Sequence, residues 1–266
     1  MKLRASVLLV LLACMPAGAQ PFLDVEIEIF NGTNQLRARD QLVPLTLDPL
    51  LSEIARGHSE EMLARGYFSH ESPNALCKDV RDRLKHAHRF CLSSAENLHK
   101  SEGYQRAILA KLAIDSWLQS SSHHRNLVNK RFNRIGIGVA AKGKTYLFTQ
   151  VFSYEPVIVQ TLDVVEEAGG FRVKISALVA DGPREGGWFV DGKRQSSWTA
   201  ASDGMISTEV LLSKPGSLEI GQLIGTREWQ VETEIPIPPP DLHLKHTRSS
   251  PLIRLARRLL PWLTST

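Results

Sequence analysis

Three short segments carry the polar side chains that could form a chemical site. The first two contain His70 and Glu96, and the third contains Ser120 and His123. Two imidazoles and one carboxylate are a competent ligand set for zinc (Zn²⁺), with coordination positions left open for water. A serine activated by an imidazole, which a carboxylate orients, is the residue set of a nucleophilic hydrolase. The residue types therefore permit either a metal site of His70, Glu96 and His123 or a triad of Ser120, His123 and Glu96.

The surroundings of Ser120 argue against a hydrolase. This serine ends a helical pattern and lacks the Gly-x-Ser-x-Gly turn that exposes a nucleophile. A hydroxyl that holds a helix terminus is the favoured interpretation. Zinc is a hypothesis, because His70, Glu96 and His123 lie far apart in the chain and only the fold can assemble them. His124 is an alternative to His123, but the spacing to Ser120 favours His123.

A third interpretation is a polar group that lines a cavity or a surface and binds a ligand without turnover. Its candidate members are His70, Glu96, Asn97, Ser120 and His123. The asparagine is expected to hold a loop through bonds from its side chain to the backbone. We favour this interpretation because no catalytic signature in the chain is complete.

Periodic patterns place these segments at the ends of regular elements. Helices are predicted over residues 24–39, 49–66, 80–88 and 104–119, and strands over residues 135–141 and 146–153. The second helix has the clearest start, because Asp48 can accept hydrogen bonds from free amides and Pro49 has none to satisfy. His58 lies on the apolar stripe of that helix, where a hydrogen-bonded, half-buried histidine is more usual than a ligand.

The pattern changes after Pro156. Alternation of apolar and polar residues replaces the helical period, and turn residues recur at a spacing typical of a small β-sandwich. Three tryptophans are expected in its core, with an exposed aromatic platform for glycans as the alternative: Trp188, Trp198 and Trp229. Residues 157–235 are therefore predicted to form a β-sandwich accessory domain.

Both ends of the chain carry segments outside the predicted domains. Lys2 and Arg4 precede an apolar run that ends in small residues, so residues 1–19 are predicted to be the signal peptide of an exported protein, periplasmic or extracellular. The alternative is a lipoprotein anchored at Cys14. Residues 236–266 combine a Pro-rich linker with a basic amphipathic tail, which is suited either to contact an anionic membrane surface or to remain solvated.

Composition limits the classes of protein and of partner. The chain has 266 residues, 42% of them hydrophobic, which is enough for one large or two modest domains. Its net charge of +4 is concentrated in the tail, so the nearly neutral body argues against nucleic acid as a partner. Without Cys14, an exported chain retains Cys77 and Cys91, for which a disulfide is the simplest expectation and two separate buried thiols the alternative.

In their order along the chain, the motifs resemble the bacterial branch of the CAP superfamily, the cysteine-rich secretory, antigen 5 and pathogenesis-related 1 proteins. The motifs are Asn34-x-x-Arg37, Tyr67-Phe68-Ser69-His70, Glu96-Asn97-Leu98, Trp117-x-x-Ser120-x-x-His123-x-x-Asn126, Ile135-Gly136-Ile137-Gly138 and Thr149-Gln150-Val151-Phe152. The resemblance covers about residues 22–154. It implies an α-β-α sandwich with a cavity lined by two histidines and usually two acidic residues.

Carried over by motif, His70 and His123 match the family's histidines and Glu96 matches one acid. Ser120 occupies the place of the second acid of eukaryotic members. Ala95 departs from the glycine that the family has before the acid, which leaves the local turn open. Many members are secreted binding proteins, and sterol or fatty-acid binding is attributed to several, so the resemblance favours binding over catalysis.

The sequence therefore predicts an α+β protein: a CAP-like α-β-α sandwich over residues 22–155, followed by a small antiparallel β-sandwich. Its predicted function is non-catalytic binding of an extracellular lipid, an envelope component or a partner protein. The alternative is a secreted hydrolase, either a metal-assisted or a serine-based peptidase or esterase.

Overall fold

The computed structural model describes residues 21–87, 89, 91–167, 169–224 and 228–237, except for the side chains of residues 224, 228 and 229. The predicted signal peptide, the alternative anchor Cys14 and the basic tail lie outside these residues, as does the side chain of Trp229. Within the described part of the chain, no helix is long and apolar enough to cross a membrane.

Between residues 21 and 154, the described part of the chain contains five α-helices and four strands. They are α1 Leu23–Arg39, β1 Thr46–Leu47, α2 Pro49–Arg65, α3 Val80–His86, β2 Ser93–Glu102, α4 Leu109–Gln119, α5 Ser121–Leu127, β3 Arg134–Lys142 and β4 Thr145–Tyr154. The strands form one sheet in the order β1-β3-β4-β2, antiparallel except for the short β1–β3 pair.

Helix α2 begins and ends where its sequence requires. Oδ1 of Asp48 accepts hydrogen bonds from the amides of Leu50 and Leu51, at 2.9 and 3.1 Å. At the other end Gly66 adopts a left-handed conformation with φ 72°, which glycine reaches at no steric cost. The predicted helix from Pro49 to Gly66 is therefore confirmed.

The glycines of β3 allow α2 to lie directly on the sheet. A Cβ atom at Gly138 would overlap the backbone of Arg56, and one at Gly136 would overlap the backbone of Leu51. The motif Ile135-Gly136-Ile137-Gly138 thus has two functions. Its isoleucines are fully buried in the core, while its glycines set the distance between helix and strand.

From residue 157 to residue 237, the part of the chain that the structure describes is all β. Its strands are β5 Val157–Glu167, β6 Gly170–Val179, β7 Glu185–Val190, β8 Lys193–Thr199, β9 Met205–Leu212, β10 Gly216–Ile224 and β11 Glu228–Ile237. They form two antiparallel sheets, β5-β6-β9 and β11-β10-β7-β8, which share one apolar core. Together with the mixed first half, this confirms the predicted α+β class.

Trp188 and Trp198 lie in that shared core, as predicted. Because both rings are buried, they do not form the exposed glycan platform that was the alternative.

The predicted disulfide between Cys77 and Cys91 is wrong: both residues are thiols in the structure. Cys91 packs against the apolar cluster under α2 and α3, and burial raises the pKa of its thiol to about 11. Cys77 ends a single 3₁₀ turn, Ala75–Cys77, which precedes α3 in the sequence, whereas Cys91 follows α3. Both thiols are half-buried, whereas the alternative expectation was two separate buried thiols.

Candidate functional site

Glu96 is the buried acid at the centre of the candidate site. It lies on β2 opposite Val151 of β4, and its side chain is only 3% exposed. One oxygen, Oε2, accepts a hydrogen bond of 2.5 Å from Nη2 of Arg83 on α3. A buried carboxylate is costly unless it is paired and hydrogen-bonded, so Arg83 is the residue that lets Glu96 be ionised inside the fold.

His70 contacts the second oxygen of that carboxylate. Its Nδ1 atom lies 2.9 Å from Oε1 of Glu96, and its side chain is 54% exposed. Since an ionised carboxylate only accepts hydrogen bonds, Nδ1 carries the proton and the neutral ring keeps a lone pair on Nε2. The pair thus has a buried acid behind it and leaves Nε2 of His70 for a ligand or water to contact.

Side chains of helix α2 hydrogen-bond to the loop that contains His70. Nε2 of His58 lies 3.0 Å from the carbonyl oxygen of Ser69, to which it donates. Glu61, one turn further along α2, accepts hydrogen bonds from the hydroxyls of Tyr67 and Ser72, both at 2.9 Å. His58 is buried, and that burial lowers its pKa, opposed by the nearby Glu96 carboxylate. It is hydrogen-bonded through Nε2, as expected, but fully rather than half buried, and its Nδ1 has no hydrogen-bond partner among the described residues. Through the Ser69 carbonyl it orients the segment preceding His70.

His123 lies on the other side of His70. The centroids of the two rings are 6.5 Å apart and tilted by 48°. Partial burial, and then the proximity of His70, lower the pKa of His123. Its Nδ1 atom is buried without a hydrogen-bond partner among the described residues. The structure therefore brings together His70, Glu96 and His123 from a loop, a strand and a short helix.

Three amide side chains fix helix α5 to the sheet. Nδ2 of Asn97 donates to the carbonyl of His123 at 3.3 Å and to Oε1 of Gln150 at 3.1 Å. Nδ2 of Asn126 donates to Oδ1 of Asn97 at 2.8 Å and to the carbonyl of Glu96 at 3.4 Å. Asn97 thus holds the backbone of His123 next to the strand of Glu96, as a loop-holding side chain would.

Ser120 lies at the junction of α4 and α5, outside these contacts. Its Oγ atom lies 3.1 Å from Oγ of Ser122 and makes no capping bond to the helix that follows. No hydrogen bond between Ser120 and an imidazole is found in the described part of the chain. His124 contributes its backbone to α5, where its amide binds the carbonyl of Ser120.

The same contacts already engage both oxygens of Glu96, the carboxylate ligand of the predicted zinc site. Oε1 and Oε2 of Glu96 are already bound by His70 and Arg83, and the guanidinium would face any cation placed there. The described residues contain no group of three or more His, Cys, Asp or Glu side chains with the geometry to hold a metal ion. The arrangement is instead that of a hydrogen-bonded acid and imidazole with a second imidazole beside it.

Two members of this group are not evident from the sequence. Arg83 falls in the predicted third helix, but nothing in its spacing indicates that its side chain reaches Glu96. His99 lies two strand positions beyond Asn97, packed beside Trp117 and Phe148. Burial first, and then the proximity of His123, lower its pKa. Only alternation along β2, which places Asn97 and His99 on the same face, could have pointed to it.

Comparison with known proteins identifies the first half of the chain. Residues 30–152 match the model of the cysteine-rich secretory protein family, CAP. Two curated proteins of Bacillus subtilis are similar. The uncharacterized membrane protein YlbC is 32% identical over 123 residues, which are 46% of this chain and 34% of YlbC. The uncharacterized protein YkwD is 29% identical over 127 residues, 48% of this chain and 46% of YkwD. The matches thus span between a third and a half of these relatives.

Solved structures of similar proteins also match this half. One is an extracellular protein with an SCP domain from Bacillus anthracis, with 32% identity and a TM-score of 0.42 over 50% of this chain and 41% of that one. Another is a cysteine-rich secretory protein from Staphylococcus aureus, with 23% identity and a TM-score of 0.38 over 53% of this chain and 41% of that one. Residues 30–152 of this chain belong to the cysteine-rich secretory protein (CAP) family.

Proposed function

We propose that this chain is an exported protein whose CAP domain binds an extracellular lipid, an envelope component or a partner protein at the His70–His123 face, without chemical turnover. Export is supported by Lys2, Arg4 and the apolar run that follows them. A relative of the same family is described as extracellular. Free secretion and anchoring at Cys14 are both consistent with this proposal.

The observation that supports the proposal is the hydrogen bonding of the Glu96 carboxylate. Both of its oxygens are bound inside the protein, so it orients His70 rather than contacting a ligand itself. His70 then presents one ring nitrogen at the surface, with the second imidazole of His123 beside it. Such a rigid hydrogen-bonding pair is suited to fix the polar group of a ligand in one orientation.

The position of Ser120 supports binding over serine-based hydrolysis. A serine nucleophile needs an imidazole within hydrogen-bond reach, about 2.6–3.2 Å. The Ser120 hydroxyl instead pairs with Ser122. Labelling with a broad serine-reactive probe tests this: we expect wild-type protein and Ser120→Ala to be labelled equally. Labelling that requires Ser120 would contradict the proposal.

Native mass spectrometry of the chain purified from its own envelope tests binding directly. We expect an adduct on wild-type protein that is lost in His70→Ala and retained in His124→Ala, a neighbouring imidazole without a role in the acid–imidazole pair. Wild-type protein that carries no adduct, or an adduct that survives His70→Ala, would overturn the proposed site.

One alternative function rests on a specific contact. An imidazole backed by a carboxylate is also the arrangement of a general base, and Nε2 of His70 could deprotonate a water molecule. This would make the protein a hydrolase without a serine nucleophile. This alternative predicts that a reaction product appears with the wild-type chain and not with His70→Gln. Binding without turnover predicts no product with either chain.

A further inference from the structure

The two halves of the protein are joined by only two residues. Strand β4 ends at Tyr154 and β5 begins at Val157, with Glu155 and Pro156 between them. On the CAP side Glu155 is held firmly, because its Oε2 lies 2.5 Å from Nη2 of Arg89. On the sandwich side the carbonyl of Pro156 accepts hydrogen bonds from the amides of residues 180 and 181, at 2.8 and 3.1 Å.

Glu232 lies beside this junction at an irregularity of β11. In the β10–β11 pairing Ile220 is opposite Thr233, and the next residue, Gly221, is opposite Val231. Glu232 is therefore the extra residue of a β-bulge, whose side chain is redirected from the regular alternation. Its neighbour Thr233 donates through its hydroxyl to the carbonyl of Val157, the first residue of β5.

The carboxyl of Glu232 is buried and incompletely satisfied. The residue is 3% exposed, and Oε2 has no hydrogen-bond partner among the described residues. No ion pair of Glu232 with a basic side chain is found in the described part of the chain, in contrast to Glu155 and Glu96. A buried acid of this kind is tolerated as the neutral carboxylic acid far better than as a carboxylate.

The groups that face Glu232 come from both halves. Asp181, in the β6–β7 loop, adds a negative charge. Burial first, and then Glu232 and Asp181, raise the pKa of Tyr154, the last residue of β4, against the opposing effect of Arg131. Burial first, and Asp181 second, raise the pKa of Glu232 to about 7. Ionisation near neutral pH thus places an uncompensated charge between the CAP sheet and the sandwich.

We propose that Glu232 is a proton-dependent latch between the two halves. Its neutral carboxyl allows Tyr154, the β6–β7 loop that contains Asp181 and the β11 bulge to pack closely, and its ionisation loosens this packing. The sign follows from the raised pKa. The stabilisation by the neutral Glu232 carboxyl is fully present below the pKa of the unfolded state, near 4.5. It is lost as the pH rises through the pKa of the folded state, about 7. The contact between the halves is accordingly closed in mildly acidic and open in mildly alkaline surroundings.

Two matched variants of the full mature chain test the latch. Glu232→Gln keeps the neutral shape at every pH, and Glu234→Gln removes an exposed carboxylate two residues along the same strand. In small-angle X-ray scattering with EDTA present, we expect the radius of gyration of wild type and Glu234→Gln to increase between pH 6 and pH 8. That of Glu232→Gln should stay constant.

Melting temperatures complete the test. The advantage of Glu232→Gln over wild type should grow as pH rises from 4.5 to 7.5. If Glu232→Gln does not fold, ¹³C NMR of the wild-type side-chain carboxyl gives its titration directly, and a midpoint near 7 is expected. A midpoint near 4.5, an unchanged pH response in Glu232→Gln, or an equal loss of that response in Glu234→Gln would overturn the latch.

Discussion

Nδ1 of His70 lies 2.9 Å from Oε1 of Glu96, and this contact joins an exposed loop to a buried strand. It fixes the tautomer of the imidazole and directs its other nitrogen away from the carboxylate. The acid is in turn neutralised by Arg83. Because each member depends on the one behind it, the site should respond to changes in residues that never touch a ligand.

Glu96→Gln should destabilise the protein strongly. The substitution leaves the guanidinium of Arg83 buried without its carboxylate, and breaking a buried pair in this way costs about 3 kcal/mol or more. Urea unfolding measures the loss, with Glu102→Gln as the control on the same strand, where the side chain is exposed. The control should change stability by less than about 0.5 kcal/mol. Equal losses of unfolding free energy in the two variants would show that the Arg83–Glu96 pair does not stabilise the fold more than an exposed carboxylate does.

Two glycine-to-alanine changes should have opposite effects. At Gly138 a methyl group would overlap the backbone of Arg56, so Gly138→Ala should destabilise the fold by about 3 kcal/mol or prevent it. At Gly57, in the middle of α2, a Cβ atom meets nothing within 4 Å, and Gly57→Ala should stabilise it by about 0.5–1 kcal/mol. Thermal unfolding of both variants checks the sign. A stable Gly138→Ala protein would contradict the close packing of α2 on β3.

Arg37 should be essential to the segment that follows α5. Its guanidinium is buried and donates to the carbonyls of Val43, Leu127 and Asn129 at 2.9–3.0 Å. Arg37→Met leaves these acceptors without donors, at about 1–3 kcal/mol for each group that stays buried. Arg39 is exposed two residues further along α1, so Arg39→Met is the control. It should leave the free energy of unfolding in chemical denaturation nearly unchanged. A neutral Arg37→Met would show that water replaces the guanidinium.

The buried histidine of α2 should make stability depend on pH on the acid side. Burial lowers the pKa of His58 below its usual value of 6.5, so the folded protein prefers the neutral ring. That contribution is present above pH 6.5 and is lost as pH falls through the lower folded pKa. Free energies of unfolding between pH 7 and pH 5 should therefore fall less steeply in His58→Gln than in wild type. His124→Gln should keep the wild-type slope; equal slopes in all three proteins would contradict a neutral His58.

Much of this fold could be predicted because local chemistry and tertiary packing agree. Asp48 and Pro49 specify the start of α2 through backbone amides alone, and Gly66 specifies its end. The glycines of β3 were recognisable as a motif, although their reason, the approach of α2, is visible only in the structure. The departure at Ala95 is accommodated because this residue lies within β2, opposite Phe152, rather than in a turn.

The parts that could not be predicted depend on contacts between distant segments. Nothing near Arg83 in the sequence indicates that α3 aims it at Glu96. Helix α5 was not predicted because serine, histidine and asparagine are weak helix formers. Hydrogen bonds from the side-chain amides of Asn97 and Asn126 hold it in place. The disulfide was expected from compartment and cysteine count, whereas in the structure the half-buried Cys91 packs against an apolar cluster.

Binding without turnover is tested most directly by recovering the ligand. The compound released from wild-type protein is incubated with fresh wild-type chain and with His70→Gln, and both mixtures are analysed by mass spectrometry before and after. We expect the compound to rebind wild type, to fail to bind His70→Gln, and to be recovered chemically unchanged from both. Products that form with wild type and not with His70→Gln would contradict it and assign His70 as a general base.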